Sequence, residues 1–269
     1  MIERRIPDFD LDQIARSGQC FRMERTGEDS FSLIAHGRYL TLAQQGDIIT
    51  FGCEEDEFQQ LWRHYFDLDT DYGAIKRAVS KRDKYLQAAV EIGGGIRILR
   101  QDLWETIVCF IISQQNNITR IKKCVEKLSL LLGETCYNKS KEVYYSFPTP
   151  EALARCEVEN LADCRLGYRA KYLIRSAQQV ATGEVDLEAI RLMPYERAKE
   201  ELLRFTGVGV KVAECICLFA LHHVDAFPID THIRQMLDEH YPKGFPMKRY
   251  KGFAGILQQY GFFYELQAN

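Results

Sequence analysis

Residues 202–236 read LLRFTGVGVKVAECICLFALHHVDAFPIDTHIRQM, and this stretch decides the fold. An amphipathic helix rich in Glu, Lys and Leu ends at Thr206, a tight Gly207-Val208-Gly209 turn follows, and an apolar helix starts at about Lys211. The pattern is a helix–hairpin–helix, spanning about residues 195–222. Two glycines let the backbone turn with nothing projecting. Amides at the start of the second helix, around Gly207, Gly209 and Val212, can then face a phosphate oxygen. Such a hairpin grips nucleic-acid backbone without reading base sequence. Taken alone, Gly-Val-Gly is as readily an ordinary turn between helices. A Walker-type phosphate loop is excluded, because Lys211 is followed by Val212 and follows no strand.

Lys211 adds chemistry to the hairpin. A lysine in the first turn of a helix opposes the helix dipole, and its neighbours Val208, Val210, Val212 and Ala213 are apolar. Both effects favour the neutral amine that a nucleophile must be. The plainer alternative is a lysine whose stem lies on apolar surface with its head in water. Asp230 follows Phe227-Pro228-Ile229 and opens another helix, where aspartate is a good N-cap. The connection from the Lys211 helix is short, so the two helices are expected to be neighbours, with amine and carboxylate facing one cleft. The carboxylate could stabilise a developing cation or move protons while the amine attacks an electrophilic carbon.

The rest of the chain sets the frame. Its 269 residues, 46% hydrophobic and 27% charged, can bury a sizeable core and exclude disordered, collagenous and disulfide-stapled classes. No apolar run is long enough to cross a bilayer, and the start, MIERRIPD, lacks the apolar stretch of a signal peptide. An intracellular protein is expected, in bacterial cytoplasm or, if the source is eukaryotic, in the nucleus. The nine cysteines form no CxxC pair, which favours reduced, buried thiols over a zinc ribbon or iron–sulfur cluster. A net charge of −3 gives no global hint of nucleic acid, so such a function must rest on a local patch.

From Gln19 to Cys53, CFRMER, FSLIAH, RYLTLAQ and DIITFGC read as short strands separated by turns at Gly27, Gly37 and Gly46. A short helix over 11–16 should end at Gly18, where glycine can take the left-handed cap conformation. After Glu54 the apolar period changes to the helical one, with Phe58, Leu61, Trp62, Tyr65 and Phe66 as the first stripe. Further helices fit 82–92, 102–113, 117–132, 150–163, 168–182, 186–192, 195–204, 211–222, 231–240 and 247–260, with loops at 93–95 and 133–150. The expected fold is α+β but mostly α: an N-terminal antiparallel sheet domain over 1–95, then a two-lobed helical body over 96–269 with its cleft between the lobes.

Several motifs together carry a resemblance: GVGVKVAECICL, AFPIDTHI, SGQCFR (17–22), IRILRQDLWETIVCFIISQQNNITRI (96–121), LGYRAKY (166–172) and AGILQQYGFF (254–263). In order and over nearly the whole chain, they resemble the helix–hairpin–helix (HhH-GPD) DNA glycosylase superfamily. Within it, SGQCFR and LGYRAKY are similar to the eukaryotic-like 8-oxoguanine DNA glycosylases.

The resemblance implies a bifunctional glycosylase and abasic-site lyase acting, as a monomer, on double-stranded DNA with 8-oxoguanine opposite cytosine. Lys211 would attack the anomeric carbon and hold the sugar as a Schiff base, while Asp230 would stabilise the charge developing on the sugar. The base would be extruded into a pocket, where the Gly18 carbonyl would read the N7 proton that distinguishes 8-oxoguanine from guanine. Cys215 and Phe262 would sandwich the base, Gln258 would bond its pairing edge, and Phe219 and Pro228 would line the pocket; core packing explains these apolar residues equally well. In Ser113-Gln114-Gln115-Asn116-Asn117-Ile118-Thr119-Arg120 a run of four amides suits a DNA-facing turn better than a core. The family has asparagine where this chain has Gln115 at the gap-filling position. Arg120 and Arg169 match contacts to the estranged cytosine, Tyr168 a wedge beside it, and His232 a phosphate contact that could also be an ordinary surface histidine. Hairpins of this family often hold a monovalent or calcium ion on main-chain carbonyls, here Leu203, Phe205 and Val208; such an ion is structural, and the lysine chemistry needs no cofactor.

Two competing readings remain open on these residues. One is a related lyase-type glycosylase acting on oxidised pyrimidines, or the adenine-specific mismatch enzyme; many of those carry four clustered cysteines after the hairpin domain, and no cysteine follows Cys217 here. The other is a non-catalytic module that uses the hairpin only for phosphate, which would not need Lys211 and Asp230 at their spacing.

Overall fold

The computed structural model describes residues 1–268. Five N-terminal strands, β1 (Ile2–Arg5), β2 (Met23–Arg25), β3 (Ser30–Ala35), β4 (Arg38–Gln45) and β5 (Ile48–Phe51), form one sheet in the order β1-β5-β4-β3-β2. Every pair is antiparallel. Alternation drives this sheet: Phe31, Leu33 and Ala35 of β3 turn inward while the residues between them are half-buried. The inner face packs on α1 (Leu11–Arg16) and on Phe58, Trp62, Tyr65 and Phe66, the stripe read from sequence. After the acidic turn α2 (Glu55–Glu57), that stripe is carried by a π turn (Phe58–Trp62) and by α3 (Arg63–Tyr65) with its C-cap Phe66.

Helices α4 (Tyr72–Ala78), α5 (Lys84–Gly93), α6 (Leu103–Ser113) and α7 (Ile118–Leu132) lead into the body, followed by a small hairpin of β6 (Thr135–Tyr137) and β7 (Val143–Tyr145). The chain then continues through α8 (Pro150–Ala154), a 3-10 helix (Val158–Cys164), α9 (Arg169–Ala181), α10 (Leu187–Arg191), α11 (Tyr195–Leu202), α12 (Val210–Phe219), α13 (Thr231–His240) and α14 (Ala254–Ala268). The expected class holds: a mostly helical α+β protein with its antiparallel sheet first. Tyr72, Leu86 and Ala89, from α4 and α5, are buried in the core of the helical body, and α5 packs along α14.

Some elements differ from the sequence reading, for local reasons. The helix expected over 150–163 is two helices, because Glu157 adopts extended backbone and closes a capping box with Asn160. The stretch expected as a loop at 133–150 contains the β6–β7 hairpin, and β1 pairs at the sheet edge although three of its four residues, IERR, are charged. Helix α4 is N-capped by Asp71, whose side chain accepts the Ala74 amide. The last helix starts at Ala254 rather than 247, after Gly252 has turned through φ +92°. All nine cysteines are free and eight are buried. No described helix is long and apolar enough to cross a membrane.

Candidate active site

Helix α12 brings Lys211 to a cleft. Its N-cap is Gly209, in extended backbone, and the helix is buried from Val212 to Phe219 because it runs through the core. Lys211 is half-buried at its first turn, with Nζ 5.5 Å from the centre of the Phe110 ring. Across the cleft Asp230 caps α13, its Oδ1 accepting the Ile233 amide at 2.9 Å. The same cleft is lined by Gly18, Cys215, Phe219, Pro228, Gln258 and Phe262, together with Ser17, Phe110 and Gln259, which the sequence did not single out. Sequence positions from both ends of the chain therefore meet at the two charged groups.

Each wall has a structural reason. Gly18 follows the Ser17 C-cap of α1 at φ +74°, as expected of a left-handed glycine, and a β-carbon there would lie 3.2 Å from the Phe262 ring. The Ser17 carbonyl is held by Gln259 Nε2, which leaves the neighbouring Gly18 carbonyl without a hydrogen bond among the described residues. Gln258 is 3% exposed and its Nε2 donates to the Pro228 carbonyl at 2.9 Å, while its Oε1 is buried with no partner. A buried, unpaired acceptor is unfavourable by roughly 1–3 kcal/mol unless a ligand meets it. Phe110 and Phe219 stack at 5.5 Å and 12° to form the floor. Burial, partly offset by the nearby Lys211 side chain, pushes the Cys215 thiol up to about 11. It is a neutral, apolar wall rather than a second nucleophile. The cleft's free volume is about 40 Å³.

The amide turn after α6 lies on the adjoining surface. Gln115 is exposed at φ +48°, Asn116 Nδ2 bonds the Ile112 carbonyl at 3.1 Å, and Asn117 caps α7 by accepting the Arg120 amide at 2.9 Å. Tyr168 is exposed, with the Arg169 guanidinium 4.6 Å from its ring centre. Arg169 itself is 5% exposed. Its Nε donates to the Gln114 carbonyl at 2.9 Å, Nη1 to Leu166 at 3.2 Å and Nη2 to Gln115 at 3.1 Å, so in this state it braces the turn. Arg120 is exposed beside it. His232 is half-buried and meets the edge of Phe262, ring centres 5.9 Å apart.

The hairpin is fixed by packing. Gly207, at φ +86°, sits where a β-carbon would fall 2.6 Å from the Tyr172 ring, so only glycine fits. Val208 and Val212 are buried and anchor it, while Gly209 and Val210 are exposed at the helix N-terminus where free amides point outward. The Phe205 carbonyl accepts the Val208 amide at 3.1 Å, whereas no backbone amide of the described residues bonds the carbonyls of Leu203 and Val208. Two free carbonyls on a tight turn are oxygen donors of the kind a hard cation takes. Among the described residues no group of three His, Cys, Asp or Glu side chains could hold a metal.

Glu214 was also missed. It is 7% exposed, and its carboxylate takes Lys199 Nζ at 2.6 Å, the Tyr195 hydroxyl at 2.6 Å and the Phe227 amide at 3.0 Å. This ties α11, α12 and the segment carrying Pro228 and Asp230 into one unit. A carboxylate inside the apolar run VKVAECICLF was the available signal, since a buried charge requires partners. Two adjacent glutamines, Gln258 and Gln259, in a buried helix were another. Phe110, in an apolar run, gave none.

Comparison with known proteins bears on this arrangement. Residues 1–107 match the family described as "8-oxoguanine DNA glycosylase, N-terminal domain", and residues 108–245 match "HhH-GPD superfamily base excision DNA repair protein". The chain is 36% identical over 158 residues to the N-glycosylase/DNA lyase of Saccharomyces cerevisiae, covering 55% of this chain and 42% of that one. It is 30% identical over 220 residues to N-glycosylase/DNA lyase OGG1 of Arabidopsis thaliana, covering 79% and 55%. The chain thus spans about half the length of these curated relatives. A solved structure of Clostridium acetobutylicum 8-oxoguanine glycosylase/lyase, in complex with double-stranded DNA containing cytosine opposite to 8-oxoG, is 36% identical with a TM-score of 0.90, covering 97% of this chain and 93% of that one.

Proposed function

This chain belongs to the HhH-GPD superfamily of base excision DNA repair proteins, and from that membership and the cleft shared by Lys211 and Asp230 we propose that it is a bifunctional DNA glycosylase and abasic-site lyase that excises 8-oxoguanine opposite cytosine. The observation that carries the substrate is the unpaired pair of acceptors, the Gly18 carbonyl and Gln258 Oε1, in a cleft that also holds an amine and a carboxylate. The carbonyl suits the N7–H that 8-oxoguanine has and guanine lacks. Gln258 Oε1 suits the N–H groups of the purine's pairing edge. Cys215 and Phe262 take the two faces of the ring, with Phe219 and Pro228 around it. At about 40 Å³ the cleft holds a few waters. Admission of a base therefore requires the Phe262 ring to swing away from Gly18.

The chemistry follows from the two charged groups. Lys211 Nζ, as the neutral amine, attacks C1′; the C1′–N9 bond breaks and its electron pair leaves with the base, which takes up a proton. Asp230 lies where it can stabilise positive charge on the sugar, and the cap bond from Ile233 orients it. The new ammonium gives up a proton, the C1′–O4′ bond opens, O4′ is protonated and the nitrogen holds C1′ as an iminium. Loss of a C2′ proton then expels the 3′ phosphate.

The DNA contacts are proposed on the resemblance together with placement. The amides near Gly207, Gly209 and Val212 take a phosphate, and His232 another. Gln115, Asn116 and Asn117 face the duplex at the vacated position. Tyr168 wedges beside the estranged cytosine, which Arg120 and Arg169 contact, Arg169 exchanging its carbonyl partners for the base. A structural monovalent or calcium ion would sit on the carbonyls of Leu203, Phe205 and Val208. The resemblance supports a monomer, and genomic DNA as substrate supports an intracellular place of work.

Borohydride trapping on a duplex with one 8-oxoguanine opposite cytosine tests the proposal. Wild type should form a covalent adduct, whereas Lys211→Gln and an undamaged duplex should form none. Trapping only on an oxidised-pyrimidine duplex would overturn the substrate, and no trapping on any lesion would overturn the activity.

A further inference from the structure

A second cleft, of about 420 Å³, lies between α7 and the end of the 3-10 helix. Its rim carries Arg120, Lys123, Lys127 and Arg165, all exposed, and its lining contains no carboxylate. The nearby Glu126 lines the neighbouring cleft instead. Its floor includes the buried thiols of Cys124 and Cys164, the latter pushed up to about 11 by burial. Neutral thiols are poor metal ligands, and an apolar floor beneath like charges focuses their field outward. The cations are also held apart in a fixed array. Lys127 Nζ donates to the Asp163 carbonyl at 3.0 Å, Arg120 Nη2 to the Arg165 carbonyl at 3.5 Å, and Arg165 itself stands at a left-handed turn with φ +53°. Lys123 has no hydrogen bond to the fold among the described residues. Among the described residues, Asp163, beside Cys164, is the one carboxylate that acts on the floor, and four exposed cations on one rim give a net positive field that attracts a polyanion.

We propose that this cleft binds backbone phosphates of the strand opposite the lesion. The assignment rests on the DNA-repair reading above, because Arg120 belongs to both the cleft and the estranged-base side, and Tyr168 and Arg169 follow directly from Arg165 through Leu166 and Gly167. The base cleft, taken to hold the damaged strand, meets the same N-terminal part of α7 through Ile118, which lies against Gly18 and does not line the second cleft. Helix α7 thus bridges the two strands, with its N-terminal turns between them.

The test is a cycle between protein and DNA charges. Binding of wild type and of the Lys123→Ala/Lys127→Ala variant is measured against salt on duplexes with neutral methylphosphonates in the complementary strand or in the lesion strand. The variant should lose about 0.9 from the slope of log K against log salt for each phosphate contact removed. Neutral linkages in the complementary strand should weaken wild type about tenfold and leave the variant nearly unchanged. Single-turnover excision at saturating enzyme should stay within about twofold. Lys123→Ala alone repeats the cycle without disturbing the bond to Asp163, and Lys139→Ala on the β6–β7 turn is the control. An unchanged slope, or equal effects of neutral linkages on wild type and variant, would overturn the cleft's assignment even if wild type binds and traps lesion DNA. Loss of melting temperature with no change in slope would reduce the lysines to caps of the 3-10 helix and likewise overturn it. Failure of wild type to bind or trap any duplex would overturn both readings.

Discussion

Gln114 Nε2 donates to the Gly207 carbonyl at 2.9 Å, joining residues 93 positions apart. The amide turn and the hairpin glycine are thereby one continuous edge. Ser176 extends it by bonding the Thr206 carbonyl at 3.1 Å, and Arg169 by bonding the carbonyls of Gln114 and Gln115. Surfaces proposed to face phosphate and estranged base are thus held in fixed relation before DNA arrives.

The cap that Asp230 provides can be separated from the catalytic role proposed for it. Asparagine caps a helix about as well as aspartate, so Asp230→Asn should keep the bond to the Ile233 amide and melt within a degree or two of wild type. It should lower single-turnover excision by about 10² or more, the scale lost when a charge aimed at the reacting centre is removed. Equal loss of melting temperature and rate would mean that the residue serves only as a cap.

Gly18→Ala strains both backbone and pocket. A non-glycine residue at φ +74° is disfavoured by roughly 1–2 kcal/mol, and the added carbon would press on Phe262 at 3.2 Å. Thermal melting should fall accordingly, and the excision ratio of 8-oxoguanine to guanine should drop. A variant with wild-type discrimination would remove Gly18 from the reading of N7.

Glu214→Ala leaves Lys199, Tyr195 and the Phe227 amide without their acceptor. Breaking a buried pair from one side typically destabilises by roughly 3–5 kcal/mol, and the lower end is expected because the Lys199 side chain retains 24% exposure. Glu214→Gln should recover most of the stability. Denaturant melts of the two variants give the comparison; a loss under 1 kcal/mol for Glu214→Ala would show the network to be dispensable.

Asp67 makes stability depend on acid. It is 2% exposed and bonded by Arg100 and His222, which ties the N-terminal region to the loop after α12. Burial alone would raise its carboxyl, but the hydrogen bonds and charges of His222 and Arg100 outweigh burial and hold it well below the usual range. A carboxyl lowered in the fold contributes stability that is present above its unfolded value, near 3.9, and is lost as pH falls towards the folded value. Unfolding free energy should therefore decline below about pH 4, and less steeply in Asp67→Asn. Identical slopes in the two proteins would assign the acid sensitivity elsewhere.

The hairpin, the order of most helices and the positions of Lys211 and Asp230 were legible in sequence because each has a short-range signature: glycine spacing, helical period, a capping aspartate. Boundaries failed where a local bond overrode the period, as when Glu157 and Asn160 split one expected helix into two. The sequence also marked Arg169 as a DNA contact, yet could not foresee that its guanidinium would be occupied by backbone carbonyls. Such bonds depend on which turn passes nearby.

By itself, then, the sequence determined that this chain is a small sheet followed by a helical body with a helix–hairpin–helix, a lysine at its turn and a carboxylate one helix later. Only the tertiary structure decided that Gly18 and Phe262, from opposite ends of the chain, meet beside Lys211, that Glu214 ties α11 and α12 to the segment leading to Asp230, and that four cations converge on one cleft beside α7. Periodicity and caps are encoded within a few residues, whereas a site built from distant segments exists only once burial of the core has fixed which surfaces meet.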